Sequence, residues 1–249
     1  MKKFNPDTEA RVYGKNHCRT IFKTRPEDII SLFITKNASS DFKSELSQLA
    51  KSKKAYHLVE RAELEKLTKS THHEDVCLVV KKKKQTPESE LLKQLSKDSK
   101  KCFLLALENV SNPHNIGAII RSMAHYGVTY LIVPEIKGLD SGALFRTAEG
   151  GAEFVEIVTV KSFEGFLLKA KELKVEILAT SSHGGEKLSA YKFKPKTIVV
   201  FGEEGPGLSA NLLKKFNKLQ IDGTGNVESL NVSVAASIII GEYFRQTKV

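Results

Sequence analysis

The sequence predicts an α/β fold in which a small basic α/β domain precedes a larger domain with a mostly parallel sheet. Short apolar runs of strand length alternate with segments of helical periodicity along most of the 249 residues. A charged stretch with little apolar content separates two such blocks, and most of the excess positive charge lies before it. We therefore place domains at 1–80 and 102–249, with a linker at 81–101.

The first block contains three predicted strands, at 29–34, 55–59 and 76–80, where apolar residues run together. Helical spacing of apolar residues predicts a helix at 41–51 and a shorter one at 60–68. The alternation predicts a small α/β domain.

The segment 81–101 begins with four consecutive lysines and ends in Lys100 and Lys101. Leu91, Leu92 and Leu95 are spaced for one helical turn, but the rest is polar. This composition is typical of a linker.

The second block alternates strands and helices more regularly, which predicts a parallel sheet with helices on both faces. A helix is predicted to begin near Pro113 and to end before Gly127, since proline suits a first turn and glycine a C-terminal cap. Further helices are predicted near 161–173 and after 231. The predicted strands are 102–107, 129–133, 154–158, 175–180, 197–201 and 219–221.

The net charge of +10 is unevenly distributed. Residues 1–101 contain 23 Lys and Arg against 14 Asp and Glu, a net of +9, and the remainder has 16 against 15. Such asymmetry indicates a module that binds a polyanion, although a solvated lysine-rich surface explains the charge equally well.

Cysteine usage and hydropathy limit the class of protein. Cys18, Cys77 and Cys102 form no CxxC pair, so neither a disulfide framework nor a zinc site is indicated and a reducing cytoplasm is expected. No apolar run is long enough to span a bilayer, so we expect a soluble protein. His72 and His73 near Cys77 lack a fourth metal ligand, and we expect a solvated loop there.

Three polar loops follow predicted strands, where ligands collect in parallel α/β sheets. The first, 108–117, leads into the helix that carries Arg121. Asn115 and Arg121 are six residues apart and cannot share one helix face, so Asn115 belongs to the loop or first turn. A capped helix with a surface arginine is the plainer interpretation of this loop.

The second loop, 202–209, holds three glycines and a proline within six residues, which allows close approach of its backbone to a ligand but also suits a plain turn. It lacks the Lys-Ser/Thr ending of a nucleotide P-loop. The third, 221–233, carries glycines, hydroxyls and amides into an apolar helix, with Ser229 or Asn231 as candidate caps.

Together and in this order the three loops resemble the signature motifs of the SpoU/TrmH family of RNA ribose methyltransferases, within the SPOUT superfamily. Asn115, Gly117 and Arg121 match the first motif. The second, G-x-E-x-x-G-L, matches Gly202, Glu204, Gly207 and Leu208. The third, S-L-N-V-S-V-A, is complete from Ser229 to Ala235, although Asp222 and Gly223 stand where relatives usually have Pro-Met after Ile221. A weaker resemblance over 11–80 points to the family's substrate-binding domain.

The resemblance implies a deep trefoil knot in the C-terminal domain, a homodimer, S-adenosylmethionine as cofactor and no metal. Applied to this sequence, it implies cofactor binding by Thr180, Gly202, Gly207, Ile221 and Leu230. The implied catalytic residues are Arg121, Ser229, Asn231, Asn115 and Glu204.

The activity that the resemblance implies is 2′-O-methylation of a ribose in tRNA or rRNA, with the basic first domain binding RNA phosphates. Arg121 would act as the base or, since a guanidinium is not readily deprotonated, would hold the phosphate beside the target ribose. Two alternatives stay open: an RNA-binding or ribosome-assembly protein that keeps the fold without catalysis, and methyl transfer to a base nitrogen.

Overall fold

A computed structural model describes residues 4–97, 101–135 and 141–247. The chain divides into two compact units. The first comprises the described residues of 1–84 and 140–153, and the second those of 85–139 and 154–249. Of the predicted linker, residues 98–100 lie outside the described part.

The secondary structure alternates between strands and helices along the chain. The strands are β1 (Glu9–Tyr13), β2 (Ile29–Ile34), β3 (Ala55–Leu58), β4 (Val76–Lys81), β5 (Cys102–Leu107), β6 (Tyr130–Pro134), β7 (Glu156–Val160), β8 (Glu176–Thr180), β9 (Glu186–Lys187), β10 (Lys196–Phe201) and β11 (Asn217–Gln220). The helices are α1 (Lys15–Thr24), α2 (Lys36–Ser39), α3 (Lys43–Lys51), α4 (Arg61–Thr68), α5 (Glu88–Leu95), α6 (Pro113–Tyr126), α7 (Gly142–Ala148), α8 (Phe163–Glu172), α9 (Ala210–Lys215) and α10 (Val232–Thr247).

The first unit is built on a four-stranded sheet in the order β1-β4-β2-β3. β4 is antiparallel to both β1 and β2, whereas β3 is parallel to β2. Residues of β4 alternate between two apolar clusters, with Leu78 in one and Val79 in the other, because helices cover both faces. That double coverage explains why 76–80 is a continuous apolar run.

Four elements of the first unit were not predicted from the sequence, namely β1, α1, α7 and the four-residue helix α2. β1 is an edge strand, so its sequence Glu-Ala-Arg-Val-Tyr lacks a continuous apolar run. α1 was not predicted because most of its residues are polar and only one of its faces is buried. α7 belongs to a segment, 141–153, that the sequence assigned to the second domain but that packs with the first unit.

Glu153 forms a buried ion cluster in the first unit. Its carboxylate accepts hydrogen bonds from Arg25 Nε at 2.7 Å and Arg25 Nη2 at 3.0 Å, and lies 3.3 Å from His17 Nε2. Burial alone would raise the pKa of Glu153, but the hydrogen bonds from His17 and Arg25 outweigh it and lower the pKa to about 2. The charged carboxylate therefore fastens 141–153 to α1 and the residue that follows it.

We expect Glu153→Gln to destabilise the protein at pH 7 by roughly 3 kcal/mol, because the half-buried Arg25 loses its nearest counter-charge and keeps only Asp28, at 3.5 Å. The pKa of Glu153 is lowered on folding, so its contribution is complete above about pH 4.5 and disappears as the pH falls toward 2. Urea unfolding across this pH range should show that the difference in unfolding free energy between the variant and the wild type becomes smaller as the pH falls. A difference that is constant with pH would contradict the assignment.

The second unit is built on a seven-stranded sheet in the order β7-β6-β5-β10-β8-β11-β9. Each neighbouring pair is parallel, which confirms the predicted α/β class with a mostly parallel sheet. The predicted β5 and the first helix, now α6, are found at the predicted bounds. Most other strands differ by one or two residues at their ends.

The predicted linker 81–101 contains a helix that belongs to the second unit. Leu91 and Leu95 of α5 are buried in its main apolar cluster with Val160 and Phe166. Composition alone does not predict this helix, because the residues around Leu91 and Leu95 are mostly polar. Two buried positions one turn apart are enough to dock a short helix.

α10, the last helix, packs along α6. The hydroxyls of Ser122 and Ser237 lie 2.7 Å apart and join the two helices halfway along. No helix among the described residues is both long and apolar enough to cross a membrane.

Candidate functional site

Three neighbouring strands of the second unit end beside one another. β10, β8 and β11 are adjacent and parallel, so their carboxyl ends lie at the same edge of the sheet. Thr180 is the last residue of β8, while Gly202 directly follows β10 and Ile221 directly follows β11. Thr180, Gly202 and Ile221, three of the predicted cofactor-binding residues, are far apart in sequence but therefore lie at one edge of the sheet. Ligands bind at this edge in sheets of this kind.

The loop after β10 folds back on itself. Gly207 N donates to the carbonyl of Glu203 at 2.9 Å, and Gly205 and Gly207 have φ values of +89° and +71°. A Cβ atom at Gly202 would lie 2.2 Å from the carbonyl carbon of Gly207, so only glycine fits there. This fold-back leaves the Glu204 side chain exposed.

Asn231 joins the three predicted motifs. Its Nδ2 donates to Asn115 Oδ1 at 3.1 Å and to Glu204 Oε1 at 2.5 Å. Its Oδ1 accepts from the backbone N–H of Ser233 at 2.9 Å and from that residue's hydroxyl at 2.6 Å, and so caps α10. One amide side chain thus fixes the first motif, the second motif and a helix start relative to one another.

Asn115 and Arg121 occupy different environments on α6. Asn115 lies in the first turn and is 8% exposed, as expected of a residue bonded to Asn231. Arg121 is exposed, and within the described residues its side chain makes no hydrogen bond or ion pair. Its five N–H donors are therefore available to an anion such as phosphate. The neighbouring Ser122 contacts α10, which holds this part of α6 beside the third motif.

The remaining predicted residues lie in the loop before α10. Ser229 and Leu230 are both exposed, and Leu230 retains 43% of its accessible surface. Thr180 is half-buried and donates through Oγ1 to the carbonyl of Val200 at 2.9 Å. The individual roles of these residues stay predictions.

Two acidic residues with structural roles at this edge were not singled out from the sequence. Glu108, which follows β5, accepts from the backbone N–H of Ser209 at 2.8 Å and so ties the first loop to the second. Its position directly after a buried strand is the signal that could have identified it.

Asp222 is the second of these residues, and the sequence marked it only as a departure from the family pattern. Its carboxylate accepts from Ser189 Oγ at 2.6 Å and lies 3.6 Å from Lys187 Nζ. The hydrogen bond from Ser189 and the nearby Lys187 lower the pKa of Asp222. The loop after β11 is thereby fastened to the segment around β9.

The structure contains no obvious metal centre in the residues that it describes: no three His, Cys, Asp or Glu side chains there are grouped to hold an ion. The expectation of a solvated loop around His72 and His73 is wrong for His73, which is fully buried. Its Nδ1 accepts from the backbone N–H of Asp75 at 3.0 Å, and burial lowers its pKa.

Comparison with known proteins identifies the family of this chain. The family described as "SpoU rRNA Methylase family" matches residues 102–241, and "RNA 2'-O ribose methyltransferase substrate binding" matches residues 11–86. An uncharacterized tRNA/rRNA methyltransferase, YfiF, of Escherichia coli O157:H7 is 40% identical over 96% of this chain and 69% of its own length.

Two further similarities extend over nearly the whole chain. The 23S rRNA (guanosine-2'-O-)-methyltransferase RlmB of Acinetobacter baylyi is 30% identical over 94% of this chain and 96% of its own. The crystal structure of the SpoU methyltransferase AviRb from Streptomyces viridochromogenes, in complex with AdoMet, superposes with a TM-score of 0.77. It covers 98% of this chain and 94% of AviRb at 20% identity, so it shows the shared fold.

A parallel sheet with three glycine- and amide-rich loops at one edge, joined by Asn231, defines an RNA methyltransferase that uses S-adenosylmethionine. The chain belongs to the SpoU family, and its first unit carries the substrate-binding domain found in this family.

Proposed function

We propose that the protein transfers the methyl group of S-adenosylmethionine to a ribose 2′-hydroxyl of tRNA or rRNA. The observation that carries the proposal is the pair of hydrogen bonds from Asn231 to Asn115 and Glu204, which join the three motifs. The relative named RlmB methylates a guanosine 2′-oxygen by its name, and this supports the ribose as target.

The edge formed by β8, β10 and β11 suits the cofactor. A Cβ atom added at Gly205, Gly207 or Gly223 would meet no other atom within 4 Å, so the loops leave open space beside their backbones. Backbone N–H and C=O groups in such loops can bind an adenine edge and ribose hydroxyls, and the exposed Leu230 offers an apolar contact. We assign Thr180, Gly202, Gly207, Ile221 and Leu230 to cofactor binding.

The protein's own residues would orient the acceptor. S-adenosylmethionine supplies an activated methyl group, so the remaining task is alignment of the hydroxyl for in-line attack. We assign Arg121 to the phosphate next to the target ribose, because its guanidinium is exposed and unpaired within the described residues. Ser229 and Asn231 would orient the hydroxyl, while Asn115 and Glu204 hold Asn231.

Asp222→Ala is expected to weaken S-adenosylmethionine binding about fivefold, the effect of losing one net hydrogen bond. The substitution removes the hydrogen bond from Ser189 and the ion pair with Lys187, which fasten the loop after β11 to the β9 segment. Calorimetric titration of the full chain measures the change. Ser189→Ala should weaken binding similarly, and the matched control Ser182→Ala, in the same segment, should not. Equal affinity for all four proteins would remove Asp222 from the account.

The knot and the homodimer are part of the proposal. The knot is supported by β10, which lies between the earlier strands β5 and β8, and by the return of α10 to α6 after β11. The dimer is supported by Val234 and Ile238, which lie one turn apart on α10 and are 47% and 40% exposed. An apolar stripe of this kind suits a second copy of the chain.

We further propose that the first unit binds the RNA and that the protein works in the cytoplasm. Its excess of lysine and arginine supports electrostatic binding of phosphates. Cys18, Cys77 and Cys102 are unpaired thiols, which suits a reducing compartment.

Two measurements test the proposed function. Calorimetry with S-adenosylmethionine separates an enzyme from a catalytically inert RNA-binding protein of the same fold, since absence of binding at millimolar cofactor would favour the latter. Transfer of a labelled methyl group to total RNA, followed by digestion to nucleosides, separates ribose from base. Label in 2′-O-methylnucleosides supports the proposal, and label on a base nitrogen contradicts it.

A further inference from the structure

β3 presents an unpaired edge and exposed side chains on the surface of the first unit. Among the described residues β3 pairs only with β2, so its other edge has no strand partner there. Tyr56 and Leu58 point to the same face of the strand and are 48% and 60% exposed. Natural proteins rarely leave an edge with such side chains without a function or protection.

Two lysines come shortly before these side chains in the chain. Lys51 ends α3, and Lys53 follows in a left-handed conformation with φ +53°. Both are exposed, and within the described residues neither forms an ion pair. Lys54 differs, because its Nζ donates to the carbonyls of Pro26 and Glu27 and so anchors the start of β3.

The opposite face of β3 is already occupied. The imidazole of His57 stacks on Phe33, with ring centroids 4.7 Å apart and planes at 25°. Phe33 is itself buried in the cluster beneath α4. One face of the strand therefore packs on the unit, while about half of the surface of Tyr56 and Leu58 is exposed on the other.

We propose that Lys51, Lys53, Tyr56 and Leu58, here named the β3 strip, bind a single-stranded stretch of the RNA substrate. An aromatic ring beside lysines on a rigid strand is the usual arrangement for stacking a base while cations hold its phosphates. The net charge of +9 over residues 1–101 favours a polyanion over a basic or neutral partner, and the exposed aromatic ring of Tyr56 favours a nucleic acid among polyanions. The inference rests on the proposed function, since it names the surface that holds that enzyme's substrate.

Tyr56 provides a direct readout. The chain has six tyrosines and no tryptophan, and all six tyrosines lie in the described residues. Tyr56 is the exposed one, while the other five are buried or half-buried. Stacking of a base on Tyr56 should therefore quench tyrosine emission of the full chain.

The test uses the full chain and a fluorescein-labelled oligouridine of about 12 nucleotides, with binding followed by anisotropy. Tyr56→Ala should weaken binding roughly 10-fold. Tyr56→Phe keeps an aromatic face, so it should bind within about twofold of wild type while the quench of tyrosine emission by unlabelled oligouridine disappears. Wild-type affinity of Tyr56→Ala, or a full quench in Tyr56→Phe, would overturn the inference.

Lys53→Gln has a matched control in Lys69→Gln, because both lysines are exposed, lie in the first unit and have left-handed φ values of +53° and +55°. Only Lys53→Gln should lower affinity and reduce its salt dependence. A change of oligomeric mass in Tyr56→Ala by sedimentation would instead make β3 an interface between copies and overturn the inference. If the wild-type protein did not bind S-adenosylmethionine, the proposed function would be contradicted. The oligouridine measurements on the Tyr56 and Lys53 variants test the β3 strip alone.

Discussion

Arg121→Ala is expected to lower methyl transfer roughly 1,000-fold while S-adenosylmethionine affinity changes by no more than a few-fold. The reason is geometric: Arg121 is exposed on α6, and in the part of the chain that the structure describes it forms no hydrogen bond with the loops at the ends of β8, β10 and β11. Its loss should therefore affect the RNA and leave the cofactor loops intact. Steady-state kinetics with RNA as the varied substrate, beside calorimetry with the cofactor, measure both effects.

Two variants control this result. Arg121→Lys keeps the charge but not the planar fork, so partial activity with a raised KM for RNA is expected of a phosphate ligand. Arg245→Ala removes an exposed arginine that pairs with Glu242 on α10, and it should leave turnover unchanged. Full turnover in Arg121→Ala would contradict the assigned role. A loss of kcat with unchanged KM would indicate action at the hydroxyl rather than at phosphate.

Asn231→Asp is expected to reduce kcat/KM roughly 100-fold without unfolding α10. Aspartate caps a helix as well as asparagine does, so the bonds from Ser233 should survive. The Nδ2 donor is lost, however, and a carboxylate then faces Glu204. We call the hydrogen bonds from Asn231 to Asn115 and Glu204 the bridge. Thermal unfolding measures the effect of the substitution on the helix cap, and kinetics measure its effect on the bridge.

A second substitution can restore the hydrogen bond between positions 231 and 204. In Asn231→Asp with Glu204→Gln the amide of the new glutamine can donate to the new aspartate, so part of the activity should return. Asn231→Ala loses both roles and should also lower the unfolding free energy by about 1 kcal/mol. If Asn231→Asp retained wild-type activity, the bridge between the motifs would have no role in catalysis.

Much of the second unit could be predicted because its strands are buried on both faces. β5 and α6 were predicted at their observed bounds, since a continuous apolar run and a proline-to-glycine helix leave little ambiguity. The family and its cofactor were predicted from the order of three motifs and are confirmed. The contact of Asn231 with Asn115 could not be predicted from the sequence, because 116 residues separate the two and only the fold brings them together.

The sequence was less informative where burial is partial or polar. α5 buries only Leu91 and Leu95 among charged neighbours, so it was interpreted as part of a linker. The packing of 141–153 with the first unit depends on Glu153, whose counter-charges on Arg25 and His17 lie more than 120 residues earlier. Local pattern cannot reveal a pairing at that distance.

A map of 2′-O-methylation in total RNA, from cells with and without this protein, tests the central claim most directly. We expect that at least one ribose of tRNA or rRNA is methylated only when the protein is present, and that the Arg121→Ala protein does not restore this methyl group. Identical maps, or a missing methyl group on a base with every ribose methylation unchanged, would contradict it.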